Sequence, residues 1–323
     1  MPATVTHAYF SNDVYDILPS HIKDKISLSR IKMFGQGTDP LMFYHLFSLK
    51  SGKKIRALQS VCHKQHTRDF FCQLIQNIQN NHLENDCDVC SFLCGFICHY
   101  VLDSTIHPFV IYKTGSFDKH NPATYKYNNL HLFMETYLDN YLIRKREHIK
   151  PYSFSIVDYS FDLKPFSSGL NQVINSSFEQ VYHVLNMDSI YYQALKDMRF
   201  SLKAFRQDRF GIKKFFYKLA DTFTPRRCFR FEAISYHYTM HPTHDFLNFK
   251  RRLWRNPTTY SLISHDSFYD LYIKSLKLAK KIIEGTFSYL NGKNIDLNSL
   301  FTNLSYTTGL DCSQNKELKY FEF

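Results

Sequence analysis

Glycine and proline are scarce, at ten residues each in a chain of 323. A protein of many short strands and tight turns needs more of both, so the shortage favours helices. Long apolar runs are missing too. The best, SFLCGFICHYVL from Ser91 to Leu102, falls short of the roughly 18 residues of a membrane-spanning helix. It carries His99 within it and reads as a buried core helix. The opening MPATVTHAYFSNDVYD lacks the basic start and apolar stretch of a secretory signal, which predicts a cytoplasmic chain. No internal repeat, low-complexity segment, Ser–His–Asp arrangement or glycine-rich phosphate loop stands out.

What is present is ordinary globular material, 44% hydrophobic and 21% charged, enough to bury a sizeable core. A single all-helical domain over 1–323 is expected, with functional residues in 1–150 and a helical C-terminal half over 170–291. The 30 Phe and 23 Tyr suit the irregular spaces between packed helices, or the lining of a lipid- or base-binding groove. Of eight cysteines, Cys87, Cys90, Cys94 and Cys98 follow one helical face. Cys87 and Cys90 have metal-ligand spacing but no second matching pair, so reduced thiols packed as small hydrophobes are expected. The net charge of +11 is concentrated. Fourteen Lys and Arg lie between Arg199 and Arg255 against four acids, a local excess of +10. Such a stretch is either a solvated face or an attractor for phosphate-rich partners, an anionic membrane surface or nucleic acid.

Helical periodicity runs through the chain. It predicts helices over 6–18 and 63–80, and one capped by Asp86 that passes through His99 and Asp103 and stops before Pro108. Asn121-Pro122 opens the next, which carries His131 and Glu135 and ends in RKREHIK. A loose connection follows from Pro151 to Gly169, then helices at about 170–185, 188–222 (broken near Gly211) and 258–291. The stretch 224–257, with Pro225, Pro242 and Pro257, reads as a second connection. The tail after Asn291 is polar and poorly patterned.

The strongest local signal is HYVLDSTIHP, His99 to Pro108. Residues four apart lie one turn apart on one helical face, so His99 and Asp103 reach the same point, and His107 continues the row. His131 and Glu135 repeat the spacing on the next helix, among apolar neighbours where an unpaired charge is costly. Imidazole and carboxylate together suit zinc. Alone, either pair is an unremarkable polar helix face; together they point to a metal site.

This order of residues resembles the bacterial zinc-dependent phospholipase C family, which shares an all-helical fold with fungal single-strand-specific zinc nucleases. HYVLD with His99 and Asp103, followed by LHLFME with His131 and Glu135, carries most of the likeness. THAYFSNDVYD supplies His7, GQGTDP supplies Asp39, CHKQHT supplies His63 with His66 as a competitor, and IHP supplies His107. The match covers roughly residues 1–150.

The resemblance implies an all-α phospholipase C/nuclease-like fold with a polynuclear zinc site between helices. One zinc would be held by His107, His131 and Glu135, and a second by Asp39, His63 and His99 with Asp103. The other oxygen of Asp103 would reach a third, ligated by His7. In secreted members the mature N-terminal residue, a Trp, also helps bind the third zinc. This chain begins Met-Pro-Ala, so two or three ions are expected. The implied activity is hydrolysis of a glycerophospholipid or related phosphodiester by metal-activated water, with Asp39 to orient or deprotonate that water. The implied partners are a phospholipid and a membrane surface met peripherally. The alternatives are a zinc nuclease on the same scaffold, using the basic stretch to hold a strand, and a non-catalytic metal-stabilised helical protein.

Overall fold

The computed structural model describes residues 3–48, 51–225, 227–237, 245–314 and 316–322. Met1, Pro2, Arg226 and Pro242 lie outside the described residues. The N-terminal part contributes α1 (Thr4–Ile17), α2 (Ser20–Lys23), α3 (Leu28–Phe34), α4 (Lys53–Cys62), α5 (Thr67–Asn80), α6 (Cys87–Thr114) and α7 (Leu130–Glu147). After it come α8 (Ile156–Ser160), α9 (Ser168–Tyr182), α10 (Met187–Phe205), α11 (Ile212–Phe223), α12 (Phe268–Leu290) and α13 (Leu297–Leu300). The described sheet is a single hairpin of β1 (Trp254–Asn256) and β2 (Thr259–Ser264), so the chain is all-α as its composition predicts.

A helix apolar on every side must be covered on every side, and α6 is that helix. By length and composition it could cross a membrane, but 94% of its apolar window is buried inside the fold. Helices α1, α3, α7, α9 and α12 and strand β1 pack around it. Its start is fixed as expected: the Asp86 carboxylate accepts from the backbone N–H of Asp88 and Val89, donors that a helix start leaves open. Cys90, Cys94 and Cys98 are buried free thiols, and burial pushes the pKa of each upward. They pack as small hydrophobes.

Four helix boundaries differ from the sequence expectation. Asn121-Pro122 opens only a 3-10 turn, Pro122–Tyr127, and α7 starts at Leu130, after left-handed Asn129 at φ +61. Helix α6 does not stop before Pro108 but continues through it to Thr114. Proline lacks the N–H that would bond the Ser104 carbonyl, and the tertiary structure covers that oxygen with Gly309. A Cβ on Gly309 (φ +64) would lie 2.5 Å from the Ser104 oxygen and 3.0 Å from Pro108 Cγ. The helix expected over 63–80 is interrupted at His66, which is left-handed at φ +56, so His63 terminates α4 instead of starting α5. The helix expected from 258 begins only at Phe268. Pro257 cannot donate, Asn256 Oδ1 accepts from Thr258 N and Oγ1, and the β-branched run after the turn folds back on Trp254–Asn256. The break near Gly211 is where it was expected, between α10 and α11.

One buried carboxylate docks the first helix. Nothing in the N-cap residue of α1 bonds its open N–H groups. Asp139 of α7 does so instead: it accepts from Thr6 N and Thr6 Oγ1 at 2.8 Å each and from Val5 N at 3.3 Å. Tyr236 donates its hydroxyl at 2.7 Å, and Arg206 lies 3.5 Å away. A carboxylate at a helix N-terminus is favoured by the aligned peptide dipoles. Replacing it, Asp139→Ala, leaves Arg206 buried without its partner, and a stability loss of about 3–5 kcal/mol is expected. Urea unfolding of the variant checks this; a midpoint equal to the parent's would refute it.

Candidate metal centre

Four segments converge on one row of polar residues in the otherwise apolar α6. Helix α6 supplies His99, Asp103 and His107, one turn apart. Helix α1, held by Asp139, supplies His7, and α7 supplies His131 and Glu135. A short 3-10 helix, Asp39–Phe43, begins with Asp39, and His63 comes from the end of α4. The turn before Asp39 lies directly across the His99 ring. Gly37 there has φ +55, and a Cβ on it would lie 2.2 Å from His99 Cδ2. Its carbonyl is tied down by the Tyr191 hydroxyl at 2.8 Å.

Asp103 is the hub. One carboxylate oxygen lies 3.1 Å from His7 Nε2, and the other lies 3.4 Å from both His99 Nε2 and His107 Nδ1. Ligand atoms of His7, Asp39, His99 and Asp103 all fall within 4.8 Å of one another, and so do those of His107, His131 and Glu135. His7, assigned to a separate position by the family resemblance, thus shares a group with Asp39 and His99. His63 joins that group through pairs: its Nε2 is 3.3 Å from Asp39 Oδ1 and 3.3 Å from His99 Nε2. Its competitor His66 is exposed and pairs with Asp69. In the second group Glu135 Oε1 lies 3.0 Å from His131 Nε2 and 3.5 Å from His107 Nε2.

Protonation states follow from burial set against charge. Burial is the largest influence on His99 and carries its imidazole down to about 4, so it is neutral at pH 7 despite Asp103 and Asp39. Burial also lowers His131, against the pull of Glu135. At His107 burial is outweighed by the Asp103 and Glu135 carboxylates, and the pKa rises to about 9. At His7 burial again loses, to Asp103 and Asp39, and the shift is upward. Burial would raise each carboxyl, but the surrounding imidazoles hold Asp39 and Asp103 below the usual carboxylate range, and Glu135 is lowered too, with His131 and His107 contributing.

This donor set fits zinc. Nitrogen and carboxylate oxygen donors converge in a buried space, and two Nε2 atoms face each other at 3.3 Å, where no more than one hydrogen can sit between them. Among the described residues, buried His99 Nδ1 and Asp103 Oδ2 have no hydrogen-bond partner. Leaving such atoms without one is costly, and Oδ2 lies on the side of Asp103 that faces His99 and His107.

Two contributors were not legible in the sequence. Gln59, one turn before His63, donates to Asp39 Oδ1 at 2.8 Å and fixes that carboxylate. Tyr306, in the tail read as unpatterned, closes the site from outside. Its N–H donates to the His63 carbonyl at 2.8 Å, and its ring packs on His63 and His99. Its carbonyl accepts from His107 Nδ1 at 3.0 Å; since a carbonyl only accepts, the proton is on Nδ1 and Nε2 is the nitrogen turned to Glu135. Second partners of this kind orient metal-binding histidines. Nothing in the local composition of LSYTTGL signals the role.

Two expectations follow. Gly37→Ala should push His99 aside and lower bound zinc per chain while leaving helix content intact, measured by elemental analysis and circular dichroism; full zinc content would show that the ring has room to spare. In the metal-free chain His107 holds its proton up to about 9, and binding a metal requires its removal. Zinc uptake near neutral pH should therefore release protons, and affinity should strengthen as pH rises toward 9. A flat dependence in a pH-stat titration would separate His107 from zinc binding.

No curated protein and no solved structure matches the chain. The profile of the zinc dependent phospholipase C family matches residues 6–185, more than half of the chain, across all eight donor residues, and the protein belongs to that family.

Proposed function

We propose that the protein is a phospholipase C-type hydrolase that cleaves a glycerophospholipid or related phosphodiester at this cluster. The observation that carries the reading is Asp103, buried between two groups of zinc-type donors and touching both. His7, Asp39, His63, His99 and Asp103 hold one part of a two- or three-ion complement, and His107, His131 and Glu135 hold the rest. Bound zinc supplies Lewis acidity, polarising phosphoryl oxygens and lowering the pKa of water toward about 7. Asp39 is the candidate to orient or deprotonate the attacking water: its carboxylate is ionised, and Gln59 holds it.

A lipid substrate is favoured over a nucleic acid by an apolar cavity of about 270 Å³ that starts on the segment carrying Asp39. Phe43, Phe47, Leu202, Phe205, Phe231 and Ile234 are among its lining residues, a surface suited to acyl chains. The nuclease reading relied on the basic stretch, whose described cations are partly committed elsewhere. Arg206 is buried against Asp139, Arg230 donates to the Asp221 and Thr224 carbonyls, and Arg251 pairs with Asp270.

Zinc-loaded protein should convert dispersed phospholipid to diacylglycerol and a phosphorylated headgroup, and leave single-stranded nucleic acid intact. His99→Ala and Asp103→Asn should reduce activity to background together with zinc content. Cleavage of nucleic acid but not phospholipid would transfer the assignment to the nuclease. Retained zinc in both variants would show the metal to lie elsewhere.

A further inference from the structure

Helix α11 is amphipathic in the wrong direction for a soluble protein. Its buried side is short and polar: Tyr217 donates its hydroxyl to the Phe205 carbonyl, and the Asp221 carboxylate accepts from Phe231 N and Glu232 N. These bonds fix the helix and aim its opposite side outward. That side carries Ile212, Phe215, Phe216, Leu219 and Phe223, which recur at helical spacing as one stripe. All five are exposed, Phe215 at 65%, Phe216 at 58% and Phe223 at 80%. Phe210, just before the helix, extends the stripe and is 82% exposed. Isolated exposed hydrophobes need no explanation, but a contiguous aromatic stripe does.

Charge says what covers it. At 100° per residue, Lys213 and Lys218 fall on the two flanks of the stripe; the Lys213 ammonium is held by the Lys203 and Gln207 carbonyls, while Lys218 and Arg209, at the helix start, are exposed. Within 209–230 the acidic residues reduce to Asp221, which is buried and occupied by backbone N–H groups. An apolar stripe bordered by exposed Lys218 and Arg209, with no exposed acid within 209–230, matches a helix lying in the interface of an anionic bilayer, rings among the acyl chains and cationic groups at the headgroups. The position is suitable as well. Tyr217 shares a small core with Ala233, Ile234 and Leu132, the residue after His131, so the helix is joined through the Phe231–Ile234 turn to the part of α7 that carries the second donor group.

We propose that α11 is a membrane-docking helix that seats the protein on anionic phospholipid surfaces. This deepens the lipid reading of the metal centre, but it is measured by binding, so either can fail without the other. Co-sedimentation with phosphatidylcholine vesicles, with and without phosphatidylserine, is the test. The full chain should bind the mixed vesicles, bind pure phosphatidylcholine more weakly, and lose affinity as salt screens the cationic groups. Phe215→Ser/Phe216→Ser and Arg209→Glu/Lys218→Glu should each weaken binding to the mixed vesicles by about tenfold or more. All four residues are exposed, so circular dichroism should show an unchanged fold. Absence of vesicle binding by the parent chain, or parent-level binding by both variants, would overturn the proposal. Self-association of the parent without vesicle binding, abolished in Phe215→Ser/Phe216→Ser, would assign the stripe to a second copy of the chain instead.

Discussion

A carboxylate buried in the middle of a protein must be compensated on every side, and Asp103 imposes that requirement on the whole N-terminal half. Its ionised form costs several kcal/mol to bury, and what offsets the cost comes from different parts of the chain. His7 arrives on α1, while His99 and His107 come from the turns above and below on α6. Helix α1 must therefore meet α6 at that level, and Asp139 provides for this by holding the N-terminus of α1 against α7. The site and the packing of these helices are one problem with one solution.

The same constraint explains why α6 continues through a proline. Had the helix ended at His107, that imidazole would have lost its fixed position one turn from Asp103 and its bond to the Tyr306 carbonyl. A Ser104 carbonyl without its N–H donor four residues on is the consequence of continuing, and Gly309 covers it. One tail segment, Tyr306 to Gly309, thus supports both the irregularity of the helix and the tautomer of a donor histidine. The metal centre is closed by residues far from its motifs in sequence.

The donor cluster and helix α11 differ in kind. The donor cluster is buried, charge-compensated and held by many bonds, as a preorganised site requires. Helix α11 is held by a few polar contacts on one side and exposes its apolar side. A zinc-dependent phospholipase C acts where an ordered polar centre must meet an aggregated apolar substrate. This chain carries a buried donor cluster and an exposed apolar stripe, joined through the small core that Tyr217 and Leu132 share with Ala233 and Ile234.

Much of this was legible in order of residues alone. Scarce glycine and proline and a 3.6-residue period specified an all-helical chain. His99, Asp103 and His107 were readable as one face because helical geometry is local, and so were His131 and Glu135. His7, Asp39 and His63 had no local signal beyond likeness to a family, since their convergence depends on how α1, α4 and the turn at Gly37 pack. The helix end at His63, the passage of α6 through Pro108, the hairpin after Pro257, and the roles of Gln59 and Tyr306 were decided only in three dimensions. Periodicity reports which residues share a face. Which carbonyl a glycine covers, which histidine a tail tyrosine orients, and whether an apolar stripe faces a core or the outside depend on contacts between residues remote in the chain, and the tertiary structure alone contains those.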